Sequence, residues 1–337
     1  MVKRDLIRIG IIGTGRIGKL HVEIAAHETP GATVVAVSDV NEATARSVAD
    51  EIGVECRGVD ELIASDDIDA IAVCTSTDTH VDLIIMAAQA GKAIFCEKPL
   101  SLDLVKVDAA LMAVKVANVP LMVGFNRRFD PGHQSVHEAI LSGKVGKVQI
   151  TKITSRDPAP PPLEYLKVSG GIFIDMMIHD FDLARYLVGS PIVEIFAKGS
   201  IMIDSRFTQA NDVDTAVVVL THESGAITVI DNSRQAVYGY DQRVEVFGSA
   251  AMALSENQRI HNATLWDKNG VFGQNPQHFF LERYRTAYQN EWAAFTKYVT
   301  QGGESPVSGD DGRAPIVLGL AAWESLRSGK PVKVDGV

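Results

Sequence analysis

Hydrophobic and polar positions along the first third of the chain alternate between two periods. Short runs rich in β-branched residues, IRIGIIG, TVVAVSD, IDAIAVC, AIFCEK and PLMVGF, are separated by stretches such as LHVEIAAHE, NEATARSVADEIG and THVDLIIMAAQAG, whose apolar residues recur at helical spacing. Strand and helix in strict alternation predict a doubly wound parallel sheet with right-handed crossovers and helices on both faces. After Phe125 the pattern changes. GHQSVHEAILSGKVG reads as a helix, a strand follows that ends near Arg156, and the prolines of DPAPPPLEYLKVSGG exclude regular pairing. VEIFAKGSIMI, DTAVVVLTHESGAITVID and RVEVFGS then read as extended, with HESG as a hairpin turn, before two helical patterns from about Phe279 and a final PVKV strand. The expectation is an α/β chain of two domains. Residues 1–125 carry the parallel sheet, and residues 126–337 form an α/β domain with a large open, mostly antiparallel sheet, the C-terminal helix packing back on the first domain. A broad sheet with no helices on its second face must cover it elsewhere, so a homo-oligomer is expected.

The chain has 337 residues, longer than one hydrophobic core usually supports, which agrees with two domains. With 46% apolar and 22% charged residues it has an ordinary globular composition, and its net charge of -10 argues against a nucleic-acid partner. Cys56, Cys74 and Cys96 each follow a short apolar run without a CxxC or Cys/His neighbour, which predicts buried, reduced thiols and a cytoplasmic setting. The start, MVKRDLIRIGIIGTGR, bears Lys3 and Arg4, but Arg8 and the glycines break its apolar stretch too soon for a signal peptide or a membrane span.

Candidate chemistry begins where the first strand meets the first helix. Gly13-Thr14-Gly15-Arg16-Ile17-Gly18 has the spacing of the dinucleotide-binding (Rossmann) fingerprint: one glycine for the tight turn, one for approach of a pyrophosphate, one for close packing of helix on strand. Asp39, 21 residues beyond Gly18, closes the second strand pattern, where a carboxylate accepts from the adenosine ribose hydroxyls. No arginine follows it to receive a 2′-phosphate, so NAD is expected over NADP. Two further loops fall at strand ends, where open α/β sheets bind ligands. One offers Thr75 and Ser76; the other, Glu97-Lys98-Pro99, fixes a lysine beside an acid and a proline.

GGIFIDMMIHDFD, Gly170 to Asp182, sets three aspartates and a histidine among apolar residues. On a regular helix Asp175, His179 and Asp182 share one stripe, with Tyr186 following, while Asp180 points elsewhere and is expected to be dispensable for chemistry. Metal binding by His179 with Asp175 or Asp182 is a poor alternative, because two or three such ligands without a further cluster make a weak site; no metal is expected.

Taken in order, GxGxxG, EKP and GGxxxDxxxHDxD resemble the Gfo/Idh/MocA oxidoreductases along the whole chain. SRDPAPPP and YGYDQRVEVFGS are similar to the inositol 2-dehydrogenase branch of that family. The resemblance implies a Rossmann domain joined to an open-faced α/β domain, NAD as cofactor, a tetramer built by packing open sheets together, and a cis peptide before Pro99. It also implies Lys98, Asp175 and His179 as the catalytic set and suggests Arg128, Ser155, Asp157 and Tyr238 as substrate contacts, to which the stripe adds Asp182. For Arg127, Tyr240 and Arg243, ion pairing or packing is as good a reading.

Oxidation of a secondary alcohol needs a base for the hydroxyl proton while hydride leaves the same carbon. His179, with an ordinary pKa of about 6.5, suits the base, Asp175 can orient it, and the charge of Lys98 can stabilise the alkoxide-like oxygen. The expected reaction is NAD-dependent oxidation of a cyclic polyol, foremost myo-inositol to 2-keto-myo-inositol. Alternatives on the same residues are scyllo- or chiro-inositol, a pyranose sugar, or cleavage of a glycoside through transient oxidation. From another class comes a non-catalytic NAD-sensing protein, whose mark would be a missing lysine, aspartate or histidine; all three are present.

Overall fold

In the computed structural model, which describes residues 6–337, the buried runs of the first third become strands of one sheet. Lys3 and Arg4 lie outside the described residues. Residues up to Phe129 together with Thr286–Arg313 form one unit, and Asp130–Arg285 with Ala314–Val337 form another.

In the first unit, β1 (Ile7–Ile12), α1 (Arg16–His27), β2 (Ala32–Ser38), α2 (Glu42–Ile52), β3 (Glu55–Cys56), α3 (Val59–Ala64), β4 (Ala70–Val73), α4 (Thr77–Gln89), β5 (Ala93–Glu97), α5 (Leu104–Ala117) and β6 (Leu121–Gly124) follow one another. The six strands are all parallel in the order β3-β2-β1-β4-β5-β6. The order reverses at β1, so the crevice at its C-terminal end is the switch point where such sheets take ligands. Every residue of β4, β5 and β6 is buried, as expected of strands covered on both faces. Asn126–Phe129 makes a 3-10 turn after β6.

The second unit contains α6 (Pro131–Leu141), β7 (Val148–Arg156), the short α7 (Leu163–Leu166), α8 (Ile178–Val188), β8 (Ile192–Ser200), β9 (Thr215–His222), β10 (Ile227–Ser233), β11 (Asp241–Gly248), β12 (Met252–Ser255), the hairpin β13 (Thr264–Asp267) and β14 (Gly270–Gly273), α9 (Phe280–Arg283) and β15 (Val332–Lys333). Seven strands form a sheet in the order β12-β11-β7-β10-β9-β8-β15, antiparallel except where β7 meets β10. Register separates its faces. Val244, Ile153, Ile230 and Val218 lie side by side on one face and join Phe173, Met177 and Phe181 in the core. On the other, Phe247, Ile150 and Ile227 are in direct register and 40–44% exposed.

Helices α10 (Arg285–Gln301) and α11 (Gly309–Ser328) complete the chain. In the first unit α10 stacks Trp292 on Phe95 of β5, ring centroids 5.1 Å apart. Among the described residues no helix is long and apolar enough to cross a membrane. Cys74 and Cys96 are buried free thiols and Cys56 is half-buried.

Candidate active site

The first unit gathers its candidates at the C-terminal ends of β1, β2, β4 and β5. Gly13 takes φ +97°, and a Cβ there would lie 2.5 Å from the Cys74 carbonyl oxygen. At Gly18 a Cβ would come within 1.9 Å of the Gly13 carbonyl oxygen, whereas at Gly15 it would meet nothing within 4 Å. The outer two glycines therefore allow strand, turn and helix to touch, and the middle one leaves its backbone open at the N-terminus of α1, beside exposed Arg16 and half-buried Ile17. This is the cradle a pyrophosphate needs, so the residues present fit NAD. Asp39 accepts the Thr14 backbone N–H (2.6 Å) and the Asn41 N–H (2.9 Å), which ties the end of β2 to the glycine turn. Its carboxylate keeps further lone pairs for a ribose. Thr75 is half-buried with its hydroxyl 2.7 Å from that of Thr79, and Ser76 is exposed at the N-cap of α4.

Glu97 ends β5, and a cis peptide joins Lys98 to Pro99. Burial pushes the Glu97 carboxyl up, but a hydrogen bond with His21 (2.8 Å), the Lys98 charge and the Lys98 backbone N–H (3.1 Å) outweigh it and hold the group below the ordinary carboxylate value. Arg128, after β6, is buried and pairs with Asp311 at 3.0 Å.

The second unit contributes a separate cluster. Gly170 and Gly171 take φ +86° and +74°, and a Cβ on Gly171 would strike the Trp323 ring at 2.6 Å. Asp212 accepts the Ile172 N–H (3.0 Å) and so caps the segment that follows. That segment departs from expectation: Ile172–Met176 is a π turn, closed by Met177 N–H to the Ile172 carbonyl (2.8 Å), and the regular helix begins only at Ile178. Asp175 lies within this wider turn and His179 and Asp182 on the regular helix after it, and single π turns of this kind gather at functional sites.

Asp175 accepts from the Tyr165 hydroxyl (2.6 Å) and the Arg234 guanidinium (2.7 Å), and Arg234 also pairs with Asp157 (3.3 Å). Arg234 is only 3% exposed, yet the charges of Asp175 and Asp157 overcome the cost of its burial and raise its pKa. Although Tyr165 is 48% exposed, desolvation of its hydroxyl, then the Asp175 charge, push that phenol well above its ordinary value, so it stays a donor. His179 is half-buried one turn on, and Asp182 is fully buried.

Two expected contacts stand elsewhere. Ser155 is fully buried between Asp180 (2.5 Å) and Gln242 (2.8 Å), and Asn232 donates to the other Asp180 oxygen (2.9 Å). Gln242, Ser155 and Asn232 are in register on the core face, so Asp180 fastens α8 to a polar row of the sheet and Ser155 belongs to that fastening. Tyr238 bonds Asp241 (2.5 Å) and Arg156 (3.3 Å); Arg156 lies in register with Asp241 and Ser233 on the open face, opposite that row. Tyr238 is therefore grouped apart from the Asp175 cluster.

Tyr165 and Arg234 were missed from sequence. Their signal was positional: Tyr165 closes the proline loop just before the paired glycines, and Arg234 follows a strand whose alternation turns it toward the helices. Among the described residues no three His, Cys, Asp or Glu side chains group as a metal site.

Comparison with known proteins agrees in both halves. Residues 7–125 match the model described as the oxidoreductase family, NAD-binding Rossmann fold, and residues 133–254 match that of the GFO/IDH/MocA C-terminal domain. The chain is 50% identical over 333 residues to myo-inositol 2-dehydrogenase of Thermotoga maritima, covering 98% of this chain and 99% of the relative. It is 45% identical over 329 residues to inositol 2-dehydrogenase of Rhizobium meliloti, covering 97% and 99%. A crystal structure of scyllo-inositol dehydrogenase from Lactobacillus casei with bound NAD(H) and scyllo-inositol superposes with a TM-score of 0.90 at 26% identity, covering 97% of this chain and 99% of that one. With both of its domains matched and half of its residues shared with such a relative, the chain belongs to the Gfo/Idh/MocA oxidoreductase family.

Proposed function

We infer that this protein oxidises the C2 hydroxyl of myo-inositol to the ketone with NAD. The observation that supports it most is the Asp175 cluster: a carboxylate held by a buried arginine and a phenol, one turn before a histidine, in a chain that also carries an open glycine cradle. NAD held at that cradle supplies a nicotinamide that accepts hydride.

His179 takes the hydroxyl proton, and the Asp175 carboxylate favours the imidazolium that results. Lys98 stabilises the alkoxide-like oxygen; the loss of a preorganised charge of this kind costs ~10²-fold or more in rate. Asp157 offers an acceptor to neighbouring ring hydroxyls, and Arg128 a donor; Asp182, without exposed surface, does not reach them. A site built to pair with several hydroxyls rejects analogues that lack them. Ser155 acts on this set through Asp180, which it bonds. scyllo-Inositol, the ligand of the Lactobacillus casei structure, is the second substrate to examine.

The assembly we propose is a homotetramer packed through the open sheet face, working in the cytoplasm. Fluorescence of NADH, measured on mixing protein and NAD with a panel of inositols, pyranoses and glycosides, tests the activity. Turnover is expected with myo-inositol, and its loss in His179→Ala and Lys98→Ala with NAD still bound; absence of NADH with every substrate would sink the reading.

A further inference from the structure

Two buried histidines of the first unit, His21 and His80, bond the residues that flank Lys98 in sequence, Glu97 and Pro99. His21, on α1, places Nε2 2.8 Å from the Glu97 carboxylate and accepts the Trp292 indole N–H at Nδ1 (2.9 Å). Because Nδ1 accepts, the ring proton sits on Nε2 and is donated to Glu97. The second Glu97 oxygen accepts the Lys98 backbone N–H. His80, on α4, sets Nδ1 2.8 Å from the Pro99 carbonyl oxygen and Nε2 3.1 Å from that of Thr75. Both partners are acceptors, and burial lowers the His80 pKa against the pull of those carbonyls. A neutral ring donates to one of them, and the shorter contact is to Pro99.

We propose that His21 and His80 are positioning residues for Lys98, His21 holding the carboxylate of the residue before it and His80 the carbonyl of the residue after it. The lysine is thus presented from a backbone anchored on both sides, which matters because its flexible four-carbon stem amplifies any displacement of its Cα. A shift of about 1 Å in a catalytic group can cost roughly 10²-fold in rate.

This inference rests on the role given to Lys98, so its test pairs kinetics with a readout that needs no turnover. The full chain would be compared with His21→Leu, His21→Gln, His80→Leu, His80→Gln and Trp292→Phe. His222→Gln serves as a control, because that buried ring bonds only the Ser190 carbonyl and Thr228 hydroxyl of the second unit. The leucine variants are expected to lose at least about tenfold in kcat while KM and the Kd for NAD move less than about threefold, and glutamine, which restores one N–H donor, to recover most of it. In 13C reductively methylated protein, the Lys98 resonance, identified by its loss in Lys98→Ala, should shift or broaden in the leucine variants and not in His222→Gln. Leucine variants with unchanged kcat and an unchanged Lys98 resonance would overturn the proposal, as would a kcat loss matched by equal loss of NAD affinity. Should the leucine variants not fold, Trp292→Phe decides: it keeps a ring on Phe95 and deletes the donor to His21, so an unaltered Lys98 resonance there counts against positioning. If the wild type oxidises no polyol, the activity reading fails while the resonance still decides the positioning.

Discussion

Asp175 meets the Tyr165 hydroxyl on one oxygen and the Arg234 guanidinium on the other, so its carboxylate plane is set before any substrate arrives. A hydrogen bond to a charged group contributes roughly 1.5–3 kcal/mol, and one that strengthens as the neighbouring imidazolium forms acts on the barrier more than on binding. Tyr165→Phe is therefore expected to lower kcat about tenfold and leave the Kd for NAD unchanged. Because desolvation of its hydroxyl and the Asp175 charge hold the phenol protonated well above its ordinary pKa, the deficit should be flat between about pH 6 and 10. Steady-state rates of both proteins across that range provide the check, and a deficit that vanishes near pH 10 would contradict the donor role.

The glycines before the histidine helix have a steric cause that a pattern of letters shows only as GG. Gly171 combines φ +74° and ψ -177° with a Trp323 ring 2.6 Å from where its Cβ would be, and both count against any side chain. Gly171→Ala should cost about 3 kcal/mol or more from backbone strain and overpacking together, read as a lowered Tm of the purified protein. The same region marks the limit of sequence reading. Period and spacing foretold the parallel sheet, the glycine turn, Asp39 at the end of β2 and the open, mostly antiparallel sheet, because each is a local pattern; the parallel pairing of β7 with β10 was not foretold. The π turn was not legible: one residue of extra winding leaves the composition of IDMMIHDFD untouched while delaying the regular helix to Ile178. Nor was the fate of Ser155 and Tyr238, since strand alternation assigns a face only once the register with β10 and β11 is known. Asp180, expected to be dispensable for chemistry, fastens α8 to the sheet through Ser155 and Asn232.

Across the molecule, buried acids pull stability in opposite directions with pH. Glu97, held below its ordinary value, contributes stability above the unfolded pKa of about 4.3 that is lost as pH falls through its folded value. Glu291 does the reverse. It is fully buried, neither of its carboxyl oxygens has a hydrogen-bond partner among the described residues, and burial followed by the Glu97 charge raises its pKa well above the ordinary range. The unfolded chain gives up that proton first, so stability is lost as pH rises from about 4.3 toward the folded value. Glu291→Gln should therefore raise Tm more at pH 8 than at pH 4.5, and calorimetry at the two pH values measures the difference. The proposed assembly turns on the opposite face of the second sheet. Phe247, Ile150 and Ile227 run in register across three strands, with Met252 and Leu254 beside them at 54% and 45% exposure. An apolar row on a face without helices is a surface to be covered, and a second copy of the same sheet is self-complementary to it. Charges placed there cost an isolated subunit little, since exposed substitutions usually fall within about 0.5 kcal/mol, but would be desolvated opposite one another in a sheet-to-sheet contact. Ile150→Glu combined with Phe247→Glu is expected to lower the molar mass measured by light scattering on a sizing column while the far-ultraviolet spectrum stays the same. An unchanged mass in a folded double variant would exclude this face as the contact.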